Sequence, residues 1–486
     1  MGHAGCQKCI RQGDPISPLL FVLIMEYLHR YLGTLNSNSE FHYHPKCKKL
    51  KITHICFADD LLLFSRGDVE SVKGLMQKFN EFSAATGLKA NPSKCRIYFG
   101  GTSVIDQANI KEVTSYGLGQ LPFKYLGVPL SSRKLTIHQC QPLIDRMLAK
   151  IQHWSTKFLS YAGRTQLVQS TLLAITNYWT QVFPLPKKII HRVEALCKNF
   201  LWSGKATGKR ALVAWDKVCD PHNAGGLNIT ALDCWNKATF AKLLWNLHKK
   251  EDKLWIRWLD AYYMKGVDIM QWQMKQDCSW IFKSIMKKRD MIRCSPYWMK
   301  SLNDNSFSTR KMYTELRGDR ADMNWRKLFY QNYARPRARF ILWLTVLGRI
   351  PTKDRLGRIG IHTDGKCSAC DQPETVLHLF FDCSFTQQIW TKVLTWLGYQ
   401  IQRRDWSREW QWIMEETAKK GWKRCLLKMV VAETIYHVWQ YRNERVFGNT
   451  NQTMNIDERI KIMVMIRGQH KRKLAEHLDV EHMLIK

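Results

Sequence analysis

The stretch from Thr53 to Ser65, THICFADDLLLFS, places two adjacent carboxylates between two apolar runs. Burial of unpaired carboxylates costs several kcal/mol. Asp59 and Asp60 therefore either lie at an exposed hairpin tip or face a cation. The runs THICF and LLLFS predict two strands of a hairpin, with Ala58, Asp59 and Asp60 between them.

The segments on both sides of this hairpin alternate between helix and strand patterns. The cap and proline signals of residues 14–18 predict a largely buried helix over 19–32. Residues 68–86 have the apolar spacing of an amphipathic helix, which Gly87 ends. Residues 94–99 predict a further strand. This part of the chain therefore reads as a small α/β layer that carries one carboxylate-bearing hairpin.

The rest of the chain is predicted to be mainly helical. Apolar residues recur at helical spacing between Ile137 and Trp202, which predicts a helical bundle. A Trp-rich, mostly helical stretch follows from Trp215 to about Met323, and the tail to Lys486 reads as helical and basic. The fold class is therefore predicted to be α+β.

The composition narrows the class of partner. The chain has 486 residues, a net charge of +34 and 20 Trp, 20 Phe and 17 Tyr. Such an excess of positive charge favours a polyanionic partner, and the many aromatic residues favour nucleic acid because bases offer stacking faces. No apolar run reaches the roughly 18 residues of a membrane span, and no secretory signal is visible. The sequence predicts a nuclear or cytoplasmic protein that is not secreted.

The cysteines predict one metal site. Fifteen cysteines without a secretory signal favour free thiols over a disulfide framework. Cys367, Cys370, His378 and Cys383 have the spacing C-x2-C-x7-H-x4-C. Three thiolates and one imidazole complete a tetrahedral, structural Zn²⁺ site. The alternative is a set of buried, reduced cysteines beside a helix.

A basic segment precedes this cluster. Residues 334–360 contain seven cations and one acidic residue, Asp354. The same segment contains the aromatic residues Phe340 and Trp343. The segment is predicted to contact phosphates, the alternative being a solvated helix surface. The seven predicted nucleic-acid contacts are Arg335, Arg337, Arg339, Arg349, Lys353, Arg355 and Arg358.

Four segments together resemble a known family. They are RQGDPISPLLF (11–21), FADD (57–60), GLKANPSK (87–94) and FKYLG (123–127). In this order and at these separations they resemble the palm motifs of reverse transcriptases from LINE-type retrotransposons without long terminal repeats. The segment PETVLHLFFDC (373–383) resembles the zinc-binding domain that follows the reverse transcriptase in plant elements of this type.

The resemblance implies roles for these residues. Asp59 and Asp60 would be the Mg²⁺-binding pair of an RNA-directed DNA polymerase, Asp59 being the firmer ligand. The other implied positions contact template, nucleotide or primer. They are Arg11, Gln12 and Gly13 beside template and incoming nucleotide, Lys94 near the triphosphate, and Tyr125, Leu126 and Gly127 as primer grip.

One departure from the family matters. These enzymes place another metal-binding Asp and a fingers region well before the RQGDP segment, whereas only Met1 to Ile10 precede Arg11 here. We therefore expect a truncated palm that does not polymerise alone, with Mg²⁺ bound only if another carboxylate completes the site. The alternative function is a catalytically dead, zinc-containing protein that binds nucleic acid.

The predicted division has five parts. Its ranges are a truncated palm (1–130), a thumb-like helical region (131–210), a Trp-rich connecting region (211–331), a zinc-binding domain (332–397) and a basic helical tail (398–486). The predicted partner is an RNA template, a DNA target or a hybrid of the two. The sequence leaves the choice between them and the oligomeric state open.

Overall fold

The computed structural model describes residues 14–155, 159–208, 211–329, 331–400, 406–448 and 455–478. The chain forms two compact units. Unit 1 consists of residues 1–139 and 240–309, and unit 2 consists of residues 140–239 and 310–486. Within the described ranges helices predominate, and the strands form three two-stranded sheets.

All strands of the described chain lie in unit 1. They are β1 (His54–Phe57), β2 (Asp60–Leu63), β3 (Arg96–Ile97), β4 (Gly117–Leu118), β5 (Phe123–Tyr125) and β6 (Val128–Leu130). β1 pairs with β2 and β5 with β6 in antiparallel fashion, whereas β3 and β4 are parallel. The strand predicted over 94–99 is thus limited to two residues.

The helices account for most of both units. They are α1 (Ser17–Gly33), α2 (Val69–Thr86), α3 (Val104–Thr114), α4 (Gln141–Ser155), α5 (Tyr161–Leu167), α6 (Leu173–Val182), α7 (Lys187–Ser203), α8 (Trp215–Val218), α9 (Leu232–His248), α10 (Leu254–Leu259), α11 (Trp280–Arg293), α12 (Pro296–Asn303), α13 (Thr309–Arg317), α14 (Arg326–Phe329), α15 (Pro336–Val346), α16 (Lys353–Arg358), α17 (Ser384–Trp396), α18 (Trp406–Ala418), α19 (Trp422–Phe447), α20 (Ile456–Gln469) and α21 (Arg472–Ala475). Turns of π-helix lie at Val168–Leu172, Asp260–Met264 and His378–Asp382.

The predicted carboxylate hairpin is present. Phe57 pairs with Asp60, so Ala58 and Asp59 form the turn. Leu61 and Leu63 point to the same face of β2, as the two-residue period of a strand requires, and both pack against the core of unit 1. The hairpin is therefore anchored on one face and presents its acidic turn at the end.

The core of unit 1 lies between α1 and α2. Its buried residues are Leu28, Leu32, Leu35, Phe41, Leu75 and Phe82. α2 begins where the Asp68 side chain accepts a hydrogen bond from Ser71 N at 2.9 Å, and it ends at Gly87, whose φ is 74°. Only glycine adopts this left-handed conformation without strain. The predicted amphipathic helix over 68–86 is thereby confirmed.

The prediction that α1 is largely buried is wrong for its first half. Leu19, Val22 and Leu23 are between 63% and 65% exposed, whereas Leu28 and Leu32 are fully buried. An apolar run shows that side chains avoid water, but it does not show which neighbour covers them. The residues of α1 that are buried in the core with α2, Leu28 and Leu32, lie in its second half.

A second segment of the chain completes unit 1. Lys49 N donates to the Tyr262 hydroxyl at 2.9 Å, and Trp258 Nε1 donates to the Lys46 carbonyl at 2.7 Å. The ammonium of Lys49 also lies 5.2 Å from the centre of the Tyr262 ring. These contacts hold α10 and the π-helical turn after it against the loop that precedes β1.

The helical pattern predicted for residues 137–202 is confirmed in unit 2. The apolar positions of α4 and α7 that repeat at three and four residues are buried, among them Leu143, Ile144, Met147, Ile190 and Val193. α4 packs against both α6 and α7. The bundle thus follows the spacing of its apolar residues.

α19 is the central helix of the second half of unit 2. It packs against α15, α18 and α20. Its buried face includes four ionisable residues as well as Thr434 and apolar ones, and the four are Lys428, Glu433, His437 and Arg442. A buried charge is costly unless it is paired, so the partners of these residues determine what α19 holds in place.

Two further findings concern the whole described chain. No helix in it combines the length and the apolar composition that a bilayer-spanning segment requires. All 13 cysteines in these ranges carry free thiols.

Candidate functional site

Four ligand atoms meet where the sequence predicts a metal. The sulfur atoms of Cys367, Cys370 and Cys383 and a ring nitrogen of His378 all lie within 4.8 Å of one another. Cys383 Sγ lies 4.0 Å from Cys367 Sγ and 3.6 Å from Cys370 Sγ, and Cys370 Sγ lies 3.0 Å from His378 Nε2. In the described part of the chain, no other group of three or more His, Cys, Asp or Glu side chains comes together in this way.

This donor set fits zinc. A tetrahedron with zinc–sulfur bonds of about 2.3 Å has sulfur–sulfur edges of about 3.8 Å, close to the two sulfur–sulfur distances in the cluster. Burial raises the pKa of the Cys367 thiol to about 12, and the nearby Cys383 adds to the rise. Cys367 therefore needs a bound cation to become a thiolate. Four protein ligands would close the coordination shell, which is typical of a structural zinc site.

The local fold explains why the four ligands converge. Cys367 and Cys370 lie on a tight turn, in which Cys367 N donates to the Gln372 carbonyl at 2.6 Å and Asp371 adopts a φ of 60°. His378 begins the π-helical turn, and its N–H donates to the Thr375 hydroxyl at 3.1 Å. Cys383 is the N-cap residue of α17, where the helix dipole favours a negatively charged sulfur.

A buried ion pair anchors the loop between Cys370 and His378. Glu374 is fully buried, and its carboxylate accepts hydrogen bonds from the Arg442 guanidinium at 2.7–3.1 Å and from Lys353 N at 2.8 Å. The Arg442 side chain is 4% exposed. The loop is thereby tied to α19. Neither residue is predicted from the sequence, because 68 positions separate them.

Arg335, a predicted phosphate contact, belongs to a second buried network. Its guanidinium donates to both carboxylate oxygens of Glu433, at distances between 2.5 and 3.1 Å, and to His437 Nε2 at 2.9 Å. Glu433 is fully buried. A phosphate would have to compete with this carboxylate. Arg335 therefore fixes the start of α15 to α19, and its role toward nucleic acid stays a prediction.

The other predicted cations divide into two groups. Lys353 is buried and bound to Asp364, Arg355 donates to the Gly348 carbonyl, and Arg358 pairs with Asp354. The second group is exposed and forms no ion pair among the described residues. It consists of Arg337, Arg339 and Arg349. These three are the cations of the segment that are most available to phosphates.

The hairpin in unit 1 presents Asp59 and Asp60 to solvent. Both are exposed, and neither forms an ion pair within the described ranges. Ala58 beside them has a φ of 49°, a value that residues with a side chain seldom adopt. Strained residues of this kind are concentrated at functional sites. The described residues bring no third acidic or His ligand to the pair.

The remaining predicted polymerase residues are only partly described. Arg11, Gln12 and Gly13 lie outside the described residues. Lys94 is exposed in the turn before β3. Tyr125 ends β5, and Leu126 and Gly127 form the turn to β6 with φ values of 49° and 81°. Two positive φ values in succession are typical of a tight hairpin turn. The roles of all these residues stay predictions.

Two protein families match the chain. Residues 2–130 match the family of reverse transcriptases (RNA-dependent DNA polymerases), and residues 307–390 match the family described as zinc-binding in reverse transcriptase. The second range contains all four residues of the Cys₃His cluster. Both matches confirm the resemblance that the sequence motifs carry.

Three relatives are similar to parts of the chain. A candidate ribonuclease H protein of Arabidopsis thaliana is 30% identical over 140 residues, which are 29% of this chain and 23% of the relative. A retrovirus-related Pol polyprotein from the type-2 retrotransposable element of Drosophila melanogaster is 30% identical over 232 residues, 46% of this chain and 21% of the relative. One from the type-1 retrotransposable element R2 of Popillia japonica is 33% identical over 135 residues, 25% of this chain and 21% of the relative. The chain thus spans about a fifth of the length of these relatives.

Proposed function

We propose that this chain, which belongs with the reverse transcriptases of plant-type retrotransposons without long terminal repeats, binds nucleic acid through a module that zinc holds together. The observation that carries the proposal is the convergence of Cys367, Cys370, His378 and Cys383 within 4.8 Å, inside the range that matches the zinc-binding family. Zinc supplies a structural cross-link there, because no coordination position stays open for a reactant.

The charge of the module supports nucleic acid as the partner. The chain carries a net charge of +34, and the exposed cations Arg337, Arg339 and Arg349 lie within the zinc-binding match. Cations that no carboxylate neutralises are available to release counterions from a phosphate backbone. The partner we propose is the RNA template, the DNA target or their hybrid, in the nucleus or cytoplasm.

Metal analysis and binding assays test this function together. We expect about one zinc per chain, and we expect the Cys367→Ser and Cys383→Ser variants to lose it. The Cys294→Ser variant is the matched control, because Cys294 is an exposed free thiol, and it should keep its zinc. A zinc content that is unchanged in all three variants would contradict the assignment.

Binding should depend strongly on salt. With six to ten phosphate contacts, affinity for RNA or DNA falls roughly 10³- to 10⁵-fold between about 50 and 200 mM salt. Fluorescence anisotropy with labelled RNA, DNA and hybrid oligonucleotides measures this slope and ranks the three partners. An affinity that does not change with salt would show that the charge serves another purpose.

We also propose that residues 1–130 form the palm and 131–210 the thumb-like region of a polymerase, with Asp59 and Asp60 as its Mg²⁺-binding pair. Their position at the tip of an anchored hairpin supports this role. A two-metal polymerase site needs oxygen ligands around two Mg²⁺ ions. Because the described residues offer only this pair, we propose that the 486-residue chain does not extend a primer by itself.

Primer extension on an RNA template tests this second proposal. The chain would be compared with an Asp59→Asn, Asp60→Asn double variant and with Asp252→Asn, which changes an exposed carboxylate elsewhere in unit 1. We expect no extension by any of them in Mg²⁺ or Mn²⁺. Primer extension by the unmodified chain and by Asp252→Asn, but not by the double variant, would refute the proposed inactivity and would establish the pair as catalytic.

A further inference from the structure

An open cleft in unit 2 lies beside the basic segment. Its volume is about 1320 Å³, and α5, α14, α15 and residues 222–227 line it. Pockets for drug-sized ligands measure roughly 300–1,000 Å³. A segment of a polymer therefore suits this cleft better than a single small molecule does.

The lining of the cleft is positively charged. Among the described residues that line it, none is acidic and five are cations, which are Arg326, Lys327, Arg335, Arg337 and Arg339. Arg335 is paired with Glu433 and Arg326 with Asp322. Lys327, Arg337 and Arg339 are exposed and form no ion pair among the described residues. These three side chains complement an occupant that carries repeated negative charge.

One wall of the cleft is aromatic. Trp325 and Phe329 are half-buried there and meet edge to face, with ring centres 5.2 Å apart. Phe340, which also lines the cleft, is buried and stacks on Tyr161, with ring centres 5.1 Å apart. A methyl group on Gly225 would lie 2.7 Å from the Trp325 ring, so the backbone closely supports that ring. The wall therefore presents two half-buried aromatic rings, of which Trp325 is closely backed by the chain.

We propose that this cleft binds single-stranded nucleic acid, with bases against Trp325 and Phe329 and phosphates at Lys327, Arg337 and Arg339. Aromatic platforms beside a basic groove are the usual means of holding single strands. The inference rests on the proposed nucleic-acid function, and it adds which surface is used and which form of strand it takes. A duplex keeps its bases stacked inside and would reach only the cations.

Fluorescence anisotropy with the zinc-loaded full chain tests the aromatic wall. The probes are a labelled oligothymidylate of about 20 nucleotides and a blunt duplex of equal length. Because stacking on one aromatic ring accounts for about a tenfold change in affinity or more, Trp325→Leu should weaken oligothymidylate binding about tenfold. Duplex binding should change less than about twofold, and Trp325→Phe should restore most of the single-strand affinity.

The salt dependence tests the cations. Each single-strand phosphate contact contributes about 0.7 to the slope of log K against log salt. The Arg337→Gln, Arg339→Gln double variant should therefore reduce the oligothymidylate slope by about 1.4. The matched control is Lys187→Gln, Lys188→Gln, which removes two exposed charges at the start of α7 outside the cleft, and its slope should change less. Trp325→Leu should leave the slope unchanged.

The outcomes separate this proposal from the proposed function. A chain that binds neither probe would remove both. If the chain binds oligothymidylate, and Trp325→Leu keeps the same affinity, zinc content and melting temperature, the proposal for the cleft alone would be overturned. A glutamate peptide of equal charge could also be used to displace the labelled oligothymidylate. If it competes as effectively as unlabelled oligothymidylate does, the cleft proposal would be overturned in favour of an acidic protein partner. Should Trp325→Leu melt early, photocross-linking to a 5-iodouracil oligonucleotide decides: cross-links at Trp325 or Phe329 support the cleft, and cross-links confined to other peptides overturn it.

Discussion

Replacement of Glu374 by alanine should destabilise the loop between Cys370 and His378, here called the zinc loop, more than a substitution of an exposed residue does. The substitution leaves the Arg442 guanidinium, whose side chain is 4% exposed, without the carboxylate that accepts its hydrogen bonds. Removing one partner of a buried ion pair typically costs about 3–5 kcal/mol. Part of this cost comes from the Lys353 backbone N–H, which loses its acceptor as well.

A double variant separates these two contributions. In Glu374→Met, Arg442→Met neither charge of this pair remains, and replacing a buried ion pair by apolar side chains is often close to neutral. The buried Lys353 N–H still lacks its acceptor, which costs about 1–3 kcal/mol. We therefore expect the double variant to be more stable than Glu374→Ala by about 2 kcal/mol.

Hydrogen exchange of residues 365–383 is the appropriate measurement, because a chain of two units need not unfold in a single step. A loss of about 3–5 kcal/mol reduces amide protection by roughly two to three and a half orders of magnitude, and zinc release to a chromogenic chelator should accelerate in parallel. Arg358→Ala is the control, since that side chain is 79% exposed in its pair with Asp354, and it should cost less than about 1 kcal/mol. If Glu374→Ala costs no more than this control, the pair does not anchor the loop.

Two further predictions concern pH and packing in unit 2. Burial, together with the positive charge of Arg335, lowers the pKa of His437 to about 3, so its contribution to stability is complete above pH 6.5 and declines by up to about 1.4 kcal/mol per unit as the pH falls from 6.5 toward 3. In urea unfolding between pH 5 and 8, the free energy of unfolding should fall less steeply toward acid pH in His437→Gln than in the unmodified chain. Equal slopes would contradict the lowered pKa of His437. Protonation of the zinc ligands affects both proteins equally and cancels in this comparison. At Gly226 a methyl group would lie 2.0 Å from the Asp220 carbonyl oxygen, so Gly226→Ala should destabilise unit 2 by about 1–3 kcal/mol and lower its melting temperature. Gly357→Ala should have no such effect, because an added methyl group there would meet no non-neighbouring atom of the described residues within 4 Å. Similar melting temperatures for the two variants would refute the clash.

The features that the sequence predicted correctly depend on local patterns. The hairpin around Asp59 follows from two short apolar runs joined by a turn, and its register agrees. The convergence of the Cys₃His side chains follows from a spacing within 17 residues, 367 to 383, which a single turn and one helix start bring together. The apolar repeats of α4 and α7 are equally local. In each case the determining residues are near neighbours in the chain.

The features that were missed depend on distant residues. Glu374 and Arg442 are 68 positions apart, and Arg335 and Glu433 are 98 positions apart. No periodicity in the sequence distinguishes such charges from those of a solvated surface. Arg335 shows the consequence, because within a run of exposed arginines it is the one that α19 holds through a buried carboxylate. The burial of α1 was misjudged for a related reason, since its apolar residues do not reveal which element covers them.

The two buried ion pairs connect the candidate zinc site with the helix that carries Arg337 and Arg339. Glu433 and Arg442 lie nine residues apart on α19, about 13.5 Å along the helix. Glu433 holds Arg335 at the start of α15, and Arg442 holds Glu374 in the zinc loop. One helix therefore fixes both the metal site and the helix that carries Arg337 and Arg339. Four protein ligands would close the zinc shell and leave no position for a phosphate oxygen. In the function that we propose, zinc would therefore act on nucleic acid through the position of these helices and not as a direct ligand.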